Sequence, residues 1–568
     1  MRSCALPFPS DEFTLADRST STGRRVVVPD GVIPASVRDA LGPGASVQDA
    51  FRDADGFSAL SPVMFELDRA VDPVSLPADG GDVLRVDDVG TGESVAIRAE
   101  VSLDAVRQGA PNTIVSAWPA VRWEYGHTYV ARLTTGLRAY VGELVRAPGV
   151  VAPGAYLGSV RADLARVEGD RWPQVVSATR FTVRSHANAS AALEAMAGTV
   201  RSLDHAVRGV TVLPPMFVDG ASAIVQGEVS LSDFRDADGV DHPDRPPTPT
   251  WERFLLVLPT RPAGPAGSPV VVYGHGLTVA KETMLTVASV NARLGLATIG
   301  IDVPNHGDRQ ADEGGYLLDL ASPRTFGRLA SMPTQGIVDT VSLLSAITTH
   351  LAALDAGPWH PDGSHGDGVA DLDTTRLFYE GTSMGGVLGA ASVALAPELD
   401  GAFLQVAGSG IADIIFHSLL WPLFATVVPD GAAAGDAAAL QGAATMLLDR
   451  ADNVNVVDRL RSSGPPVFLQ YGVGDGIVPN TASERLMALA DLPLVGPEIT
   501  PLHLALRRTG SDAIPADGRG AAQVYNVHSA PDTMSFLAHV SFVEPQAELL
   551  LQAWLRNRLA AVGLTPLS

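Results

Sequence analysis

A serine lies between two glycines in the pattern G-x-S-x-G at residues 381–385. A serine hydroxyl is a weak nucleophile unless a base removes its proton and a sharp turn exposes it, and the two glycines permit such a turn between a strand and a helix. In a glycine-rich chain the pattern alone is weak support, since an ordinary strand-to-helix turn also produces it. Its surroundings favour chemistry, because residues 376–380 have a strand pattern and residues 384–395 a helix pattern. Ser383 is therefore the candidate nucleophile.

A second glycine-containing turn lies upstream, where an apolar strand pattern at residues 270–273 ends in the sequence Gly-His-Gly-Leu. Acyl transfer places negative charge on a carbonyl oxygen, and two backbone N–H groups must already point at that oxygen. We predict that Met384, which follows the serine, provides one of them and that Leu277 provides the other. His275 and Gly276 then shape this loop, and we interpret His275 as a brace for the loop rather than as the catalytic base.

A nucleophilic serine also needs a histidine base and a carboxylate that orients it. An apolar strand pattern at residues 466–473 ends in a glycine followed by Asp475, which is the predicted acid; a turn-forming aspartate is the structural alternative. Two later histidines could be the base. His539 is favoured because apolar residues flank it just before the closing helix pattern at 545–559, whereas His528 lies in a turn-like run and stays the alternative.

The elements that must position these residues are short apolar runs that alternate with helix patterns after residue 206. Such runs predict an α/β fold with a mostly parallel sheet that is buried on both faces. The predicted strands are residues 221–229, 252–258, 270–273, 297–301, 377–379, 403–406, 467–470 and 523–527. An apolar insertion at about 410–464 is predicted to be a helical cap over an acyl-binding pocket, although core packing could explain part of its apolar character.

With these motifs in order, residues 206–568 resemble the α/β-hydrolase superfamily, which has a nucleophile elbow, a His-Gly oxyanion loop, an acid turn and a late histidine. The sequence Asp-Val-Pro-Asn-His-Gly at 302–307 is similar to the loop after the fourth strand of that superfamily. The resemblance implies a doubly wound, mostly parallel sheet with a cap insertion. It also implies that Asp302 and His306 line the pocket or support it rather than perform chemistry.

The chain before residue 206 has a different pattern of apolar residues and turns. Residues 55–150 contain short alternating runs between turns, which predicts a β-sandwich, with a β-rich extension of the main domain as the alternative. The sequences Asp-Gly-Phe-Ser at 55–58 and Tyr-Gly-His-Thr-Tyr at 125–129 resemble the N-terminal Ig-like module of bacterial lipases and lysophospholipases. Residues 1–54 are expected to be an extended arm, and residues 151–205 a helical connector.

Composition excludes some classes of partner. The formal net charge of the 568 residues is -23, and so acidic a surface repels nucleic acid and anionic membranes. Cys4 is the single cysteine, so no intrachain disulfide can form. No stretch predicts a transmembrane helix, and Ser10, Asp11 and Glu12 interrupt any signal-peptide pattern. We expect either a cytoplasmic protein or an exported one whose leader is missing from the sequence.

The predicted function is hydrolysis of carboxylic esters, of a small molecule or a lipid with an apolar acyl group, through an acyl-enzyme and without a metal or other cofactor. Acidic loops at 233–241 and 362–373 lack the ligand spacing of a calcium loop and are interpreted as solvated turns. Two alternatives stay open: a peptidase or amidase with the same three residues, and an inactive interaction or adhesion protein. Haloalkane and epoxide hydrolases of this superfamily are disfavoured because they have an aspartate where Ser383 stands.

Overall fold

The computed structural model describes residues 6–29, 32, 51, 53–102, 113–140, 142–146, 154–169, 174–310, 330–425, 428, 432–461, 464–530, 533–565 and 567. The chain divides into two compact units. The first unit draws its described residues from Met1–Ala191 and Leu423–Arg450. The second draws them from Ala192–Asp319, Ala330–Pro422 and Ala451–Ser568.

The strands are, in chain order, β1 (Thr14–Ala16), β2 (Arg24–Val26), β3 (Val63–Leu67), β4 (Leu84–Asp88), β5 (Ile97–Val101), β6 (Thr113–Pro119), β7 (Thr128–Thr134), β8 (Val175–Thr182), β9 (Val207–Leu213), β10 (Ala221–Asp233), β11 (Thr248–Pro259), β12 (Ser268–Gly274), β13 (Ala297–Ile301), β14 (Leu372–Thr382), β15 (Gly401–Gln405), β16 (Val467–Gly472) and β17 (Gly520–Val524). The helices are α1 (Gly154–Glu168), α2 (His186–Arg201), α3 (Leu285–Arg293), α4 (Ser331–His350), α5 (Met384–Ala394), α6 (Ile411–His417), α7 (Trp421–Phe424), α8 (Ala434–Leu448), α9 (Asn480–Ala490), α10 (Phe536–His539) and α11 (Pro545–Ala561).

The first unit contains two three-stranded antiparallel sheets, in the orders β3-β6-β5 and β4-β7-β8. Its aromatic core includes Trp123, whose ring lies 5.4 Å from Tyr129 and 5.7 Å from Phe181. All three side chains are buried, as expected when inward residues of short strands must supply the core. The described part of residues 55–150 therefore contains short antiparallel strands, and the Ig-like resemblance stays a prediction.

Two boundary predictions differ from the structure. The region 151–205 was expected to be a helical connector, yet β8 lies between α1 and α2 and pairs with β7 as a third strand of the sheet. Its inward positions include Thr179, so its apolar alternation is too weak to indicate a strand. In the described part of the expected arm at 1–54, Phe8 is buried, and its backbone forms hydrogen bonds with the backbone of Met64 in β3.

The predicted cap at 410–464 is divided by the structure. Its central helix, α8, belongs to the first unit and packs against β3 and β6. Asp449, just after α8, accepts a hydrogen bond of 2.6 Å from Ser58 Oγ and pairs at 2.5 Å with Arg184. An apolar segment must be covered, but its composition does not specify which surface covers it, so a cap over the acyl-binding pocket stays a prediction.

The second unit is built on a nine-stranded sheet with the order β17-β16-β15-β14-β12-β13-β11-β10-β9. The strands from β12 to β17 pair in parallel, while β11 runs antiparallel to β10 and β13. β13, β15 and β16 are buried along their whole length, as strands covered on both faces must be.

Helices cover both faces of this sheet. Phe378 of β14 packs in one apolar cluster with residues of α3 and α11. Its neighbour Tyr379 points to the opposite face, where its hydroxyl donates to the Gly385 carbonyl of α5 at 2.6 Å. A mostly parallel sheet with helices on both faces and a strand-turn-helix at the interior strand β14 is an α/β-hydrolase fold, which confirms the predicted class.

Candidate active site

Ser383 stands at the turn between β14 and α5. Its backbone has φ 57° and ψ -120°, a conformation that a non-glycine residue rarely adopts. The Ser383 N–H donates to the Gln405 carbonyl of β15 at 2.8 Å, so the neighbouring strand helps to hold the turn. Strain of this kind persists only where the surrounding structure enforces it, and it turns the hydroxyl out of the sheet edge.

The glycines of the motif are required by close packing rather than by positive φ. A Cβ on Gly385 would overlap the carbonyl oxygen of Gly274 at the end of β12, and a Cβ on Gly381 would overlap the carbonyl of Gly385. The first turn of α5 therefore lies directly against the ends of β12 and β14. This close approach brings the loop after β12 next to the serine.

His539 and Asp475 complete a hydrogen-bonded row with Ser383. The Nε2 atom of His539 lies 2.8 Å from Ser383 Oγ, and its Nδ1 lies 2.8 Å and 3.0 Å from the two carboxylate oxygens of Asp475. Asp475 has almost no exposed surface and also accepts N–H bonds from Ile477 and Val478, at 2.8 Å and 3.0 Å. A carboxylate acceptor at Nδ1 favours the tautomer in which Nε2 is free of a proton and can accept one from serine.

The sequence left two histidines as candidate bases, and the structure places only one of them at the serine. His539 ends α10, which packs its buried Ala538 against β16. His528 lies in an exposed turn after β17, where its backbone N–H donates to Asn526 at 2.9 Å.

The predicted oxyanion loop lies beside the nucleophile. A Cβ placed on Gly276 would be 3.5 Å from Ser383 Cβ, so the backbone of this loop runs past the serine. Leu277 is the next residue of the loop, and Met384 is the first residue of α5. The N–H groups of a first helical turn lack intrahelical acceptors, which leaves such a group suited to bind developing negative charge.

His275 is buried under this loop and makes two hydrogen bonds. Its Nδ1 lies 2.8 Å from the Gly276 carbonyl, and its Nε2 accepts the Val303 N–H at 2.9 Å. Burial lowers the pKa of His275, because an imidazolium is costly away from water. A neutral ring with its proton on Nδ1 satisfies both contacts.

Asp302 and His306 are both buried, and their contacts hold the loops of the site. The Asp302 carboxylate accepts the Lys281 N–H at 2.7 Å and pairs with the Lys281 ammonium at 2.9 Å. His306 Nδ1 contacts the Pro304 carbonyl at 3.0 Å, and burial lowers the pKa of His306 to about 4. These two residues thus act on loop geometry, and a direct lining role stays a prediction.

Sequence reasoning missed one buried acid beside the nucleophile. Glu380, three residues before Ser383, is buried within β14 and accepts a hydrogen bond from Asn291 Nδ2 of α3 at 3.1 Å. Burial raises the pKa of Glu380 to about 8, so the side chain is a neutral acid at pH 7. The available signal was an acidic residue directly after the apolar run at residues 377–379.

Among the described residues, no group of three histidine, cysteine, aspartate or glutamate side chains is arranged to hold a metal ion. In the acidic loops, Asp233 pairs with Arg235 and Asp362 accepts the Ser364 N–H, contacts that close turns. No helix in the described ranges is both long and apolar enough to span a membrane.

No protein-family model matches the chain, and no curated protein matches it. Several solved structures align at low identity. Acetyl xylan esterase 1 from Thermoanaerobacterium sp. JW/SL YS485 is 13% identical, with 65% of this chain and 92% of that chain covered and a TM-score of 0.39. A thermostable esterase from Pseudomonas putida ECU1011 is 11% identical, with coverages of 63% and 85% and a TM-score of 0.32.

A puromycin-hydrolyzing peptidase from Mycobacterium tuberculosis is 14% identical, with 60% of this chain and 46% of that chain covered and a TM-score of 0.33. Similarities this weak do not bear on the substrate of the chain. The fold assignment rests on the strand order and the helix placement described above.

Proposed function

We propose that this protein is a serine hydrolase that cleaves carboxylic esters. The observation that carries the proposal is the row of contacts from Asp475 through His539 to Ser383, with the serine held on a strained turn. Such a row is the arrangement that converts a serine hydroxyl into a nucleophile near neutral pH. The further proposal that the acyl group is apolar rests on the surface around His539.

In the proposed reaction, His539 Nε2 takes the proton of Ser383 Oγ as the oxygen attacks the ester carbonyl carbon. The carbonyl oxygen becomes negatively charged and is bound by the backbone N–H groups of Met384 and Leu277. The intermediate collapses when the alcohol leaves with the proton that His539 returns. Water then attacks the acyl-enzyme with His539 as base, which releases the carboxylic acid and restores Ser383.

Solvent-exposed apolar side chains lie around the proposed base. Phe536 and Leu537, in the same short helix as His539, are 54% and 47% exposed, and Val540 follows at 36%. Leu419, also partly exposed, lies against Gly476 beside the acid: a Cβ on Gly476 would meet its side chain. Neighbouring exposed apolar residues at a site favour an apolar ligand, which supports an acyl chain over a sugar or a charged group.

The test is a series of p-nitrophenyl esters with acyl chains of 2 to about 12 carbons, with the matching p-nitroanilide alongside. We expect kcat/KM to rise with chain length beyond the acetyl ester and the anilide to be cleaved far more slowly. Faster cleavage of the anilide would assign the protein to the amidases instead. Absence of ester and anilide cleavage, together with no reaction of Ser383 with a fluorophosphonate, would favour the inactive interaction protein.

A further inference from the structure

The oxyanion loop is held by a buried histidine that the proposed reaction does not use as an acid or base. His275 has no exposed surface, and both of its ring nitrogens contact backbone groups. Since the Val303 N–H can only donate, Nε2 must accept, and the ring proton must be on Nδ1. The Nδ1–H then donates to the Gly276 carbonyl, so the structure selects one tautomer.

That carbonyl belongs to the peptide unit whose N–H is the predicted oxyanion donor. The Gly276 carbonyl and the Leu277 N–H are part of the same planar trans peptide, in which the two groups point in opposite directions. A hydrogen bond that fixes the carbonyl therefore also fixes the direction of the N–H. Because Gly276 lies beside Ser383, rotation of this one peptide would turn the donor away from the reacting carbonyl.

The histidine ring is itself prevented from moving. Val303 follows β13 directly after Asp302, and its N–H holds Nε2 at 2.9 Å. Lys281, at the other end of the loop, is tied to Asp302 through its backbone N–H and its ammonium group. The loop from His275 to Lys281 is thus fixed to the same point of the sheet at both ends.

We propose that His275 is a positioning residue that sets the plane of the Gly276–Leu277 peptide and so keeps the Leu277 N–H aimed at the oxyanion. This inference rests on the proposed function and deepens it. Its effect belongs to the transition state and the tetrahedral intermediate, because negative charge develops on the carbonyl oxygen there and not in the bound ester. Loss of the contact should lower kcat and leave KM nearly unchanged, whereas simple loss of folding would lower the active fraction.

The test compares two amide replacements that separate the two ring contacts. In His275→Asn the amide nitrogen stands near the position of Nδ1 and can still donate to Gly276. In His275→Gln the amide reaches the position of Nε2 and can replace only the Val303 contact. We expect His275→Gln to lower kcat by about 10²–10³-fold, the loss typical of one oxyanion donor, and His275→Asn to keep at least about ten times more activity than the glutamine variant.

A matched control is His205→Gln, because His205 is also buried in the second unit and contacts two backbone carbonyls, those of Val200 and Ser230. This variant should lose stability without a change in kcat per active site. Active sites are titrated with a fluorophosphonate so that kcat refers to folded enzyme. Equal kcat for the asparagine and glutamine variants, or a higher value for glutamine, would overturn the inference while leaving the proposed function intact; an inactive wild-type protein would overturn the function itself.

If His275→Gln does not fold, affinity for a boronic acid that forms a tetrahedral adduct with Ser383 is compared between the wild type and His275→Asn. The inference then requires the asparagine variant to bind the boronic acid within about tenfold of the wild type, because it keeps the Gly276 contact. A loss of more than about 10²-fold in the asparagine variant would contradict it.

Discussion

Replacement of Glu380 by glutamine should change how the stability of this protein depends on pH. The carboxyl group is buried in β14 with one hydrogen bond, from Asn291, and its other oxygen has no partner among the described residues. Burial raises the pKa of Glu380 in the folded protein to about 8, from an ordinary value of 4.5. Glutamine has nearly the same shape but cannot ionise, so it removes this titration alone.

The sign follows from proton binding. Between the unfolded pKa of 4.5 and the folded pKa of about 8, the folded protein keeps a proton on Glu380 that the unfolded chain has lost. The contribution of Glu380 to the free energy of unfolding is therefore fully present below pH 4.5 and is lost as the pH rises through 8. At about 1.4 kcal/mol per pH unit, the wild type should lose roughly 3 kcal/mol between pH 5 and pH 8 relative to Glu380→Gln.

The assay is urea unfolding followed by tryptophan fluorescence at pH 5, 6, 7 and 8. At each pH, the free energy of unfolding of the wild type is subtracted from that of the variant. Any destabilisation by the glutamine amide itself is the same at every pH, so it does not affect how this difference changes with pH. Glu548→Gln is the control: Glu548 is half exposed on α11 and pairs with Arg293, so its difference should stay nearly constant with pH. A constant difference for Glu380→Gln would show that the carboxyl is already ionised at pH 5.

Further predictions concern the site and the two units. Ser383→Ala should lower kcat for ester hydrolysis by about four to six orders of magnitude; a folded variant with a tenth of wild-type activity would exclude this serine. His539→Ala should lose nearly all kcat and His528→Ala less than about tenfold, and the reverse ranking would move the base. Gly385→Ala should cost about 1–3 kcal/mol in urea unfolding, since its Cβ meets the backbone of β12. A fragment of residues 206–568 should aggregate in light scattering, because it leaves α8 without β3 and β6; a monomeric fragment would contradict this packing.

The arrangement of the site was largely predictable because its residues follow strand ends. Parallel strands place their carboxyl ends at one edge of the sheet, so the turns after β12, β14 and β16 meet there whatever the intervening sequence. The order serine, acid, histidine then limited the choices to Asp475 and two late histidines. The choice of His539 rested on its apolar neighbours, but in the structure Phe536 and Leu537 are exposed, and it is the buried Ala538 that packs α10 against β16.

The parts that sequence reasoning missed depend on contacts between distant segments. α8 is an apolar helix in an insertion of the hydrolase region, yet it packs on strands more than 300 residues earlier in the chain. Its periodicity shows that one face must be buried but does not identify the covering surface. β8 was missed because Thr179 occupies an inward position that apolar alternation would assign to a larger side chain.

The central claim, that Ser383 is a nucleophile activated by His539, is tested most directly by the rate of fluorophosphonate labelling, with the labelled residue identified by mass spectrometry. The reagent reacts with an activated serine whatever the natural substrate is. The account predicts a single label, on Ser383, in the wild type, and labelling slower by at least about 10³-fold in His539→Ala. A label on another serine, or an undiminished rate in the His539 variant, would contradict it.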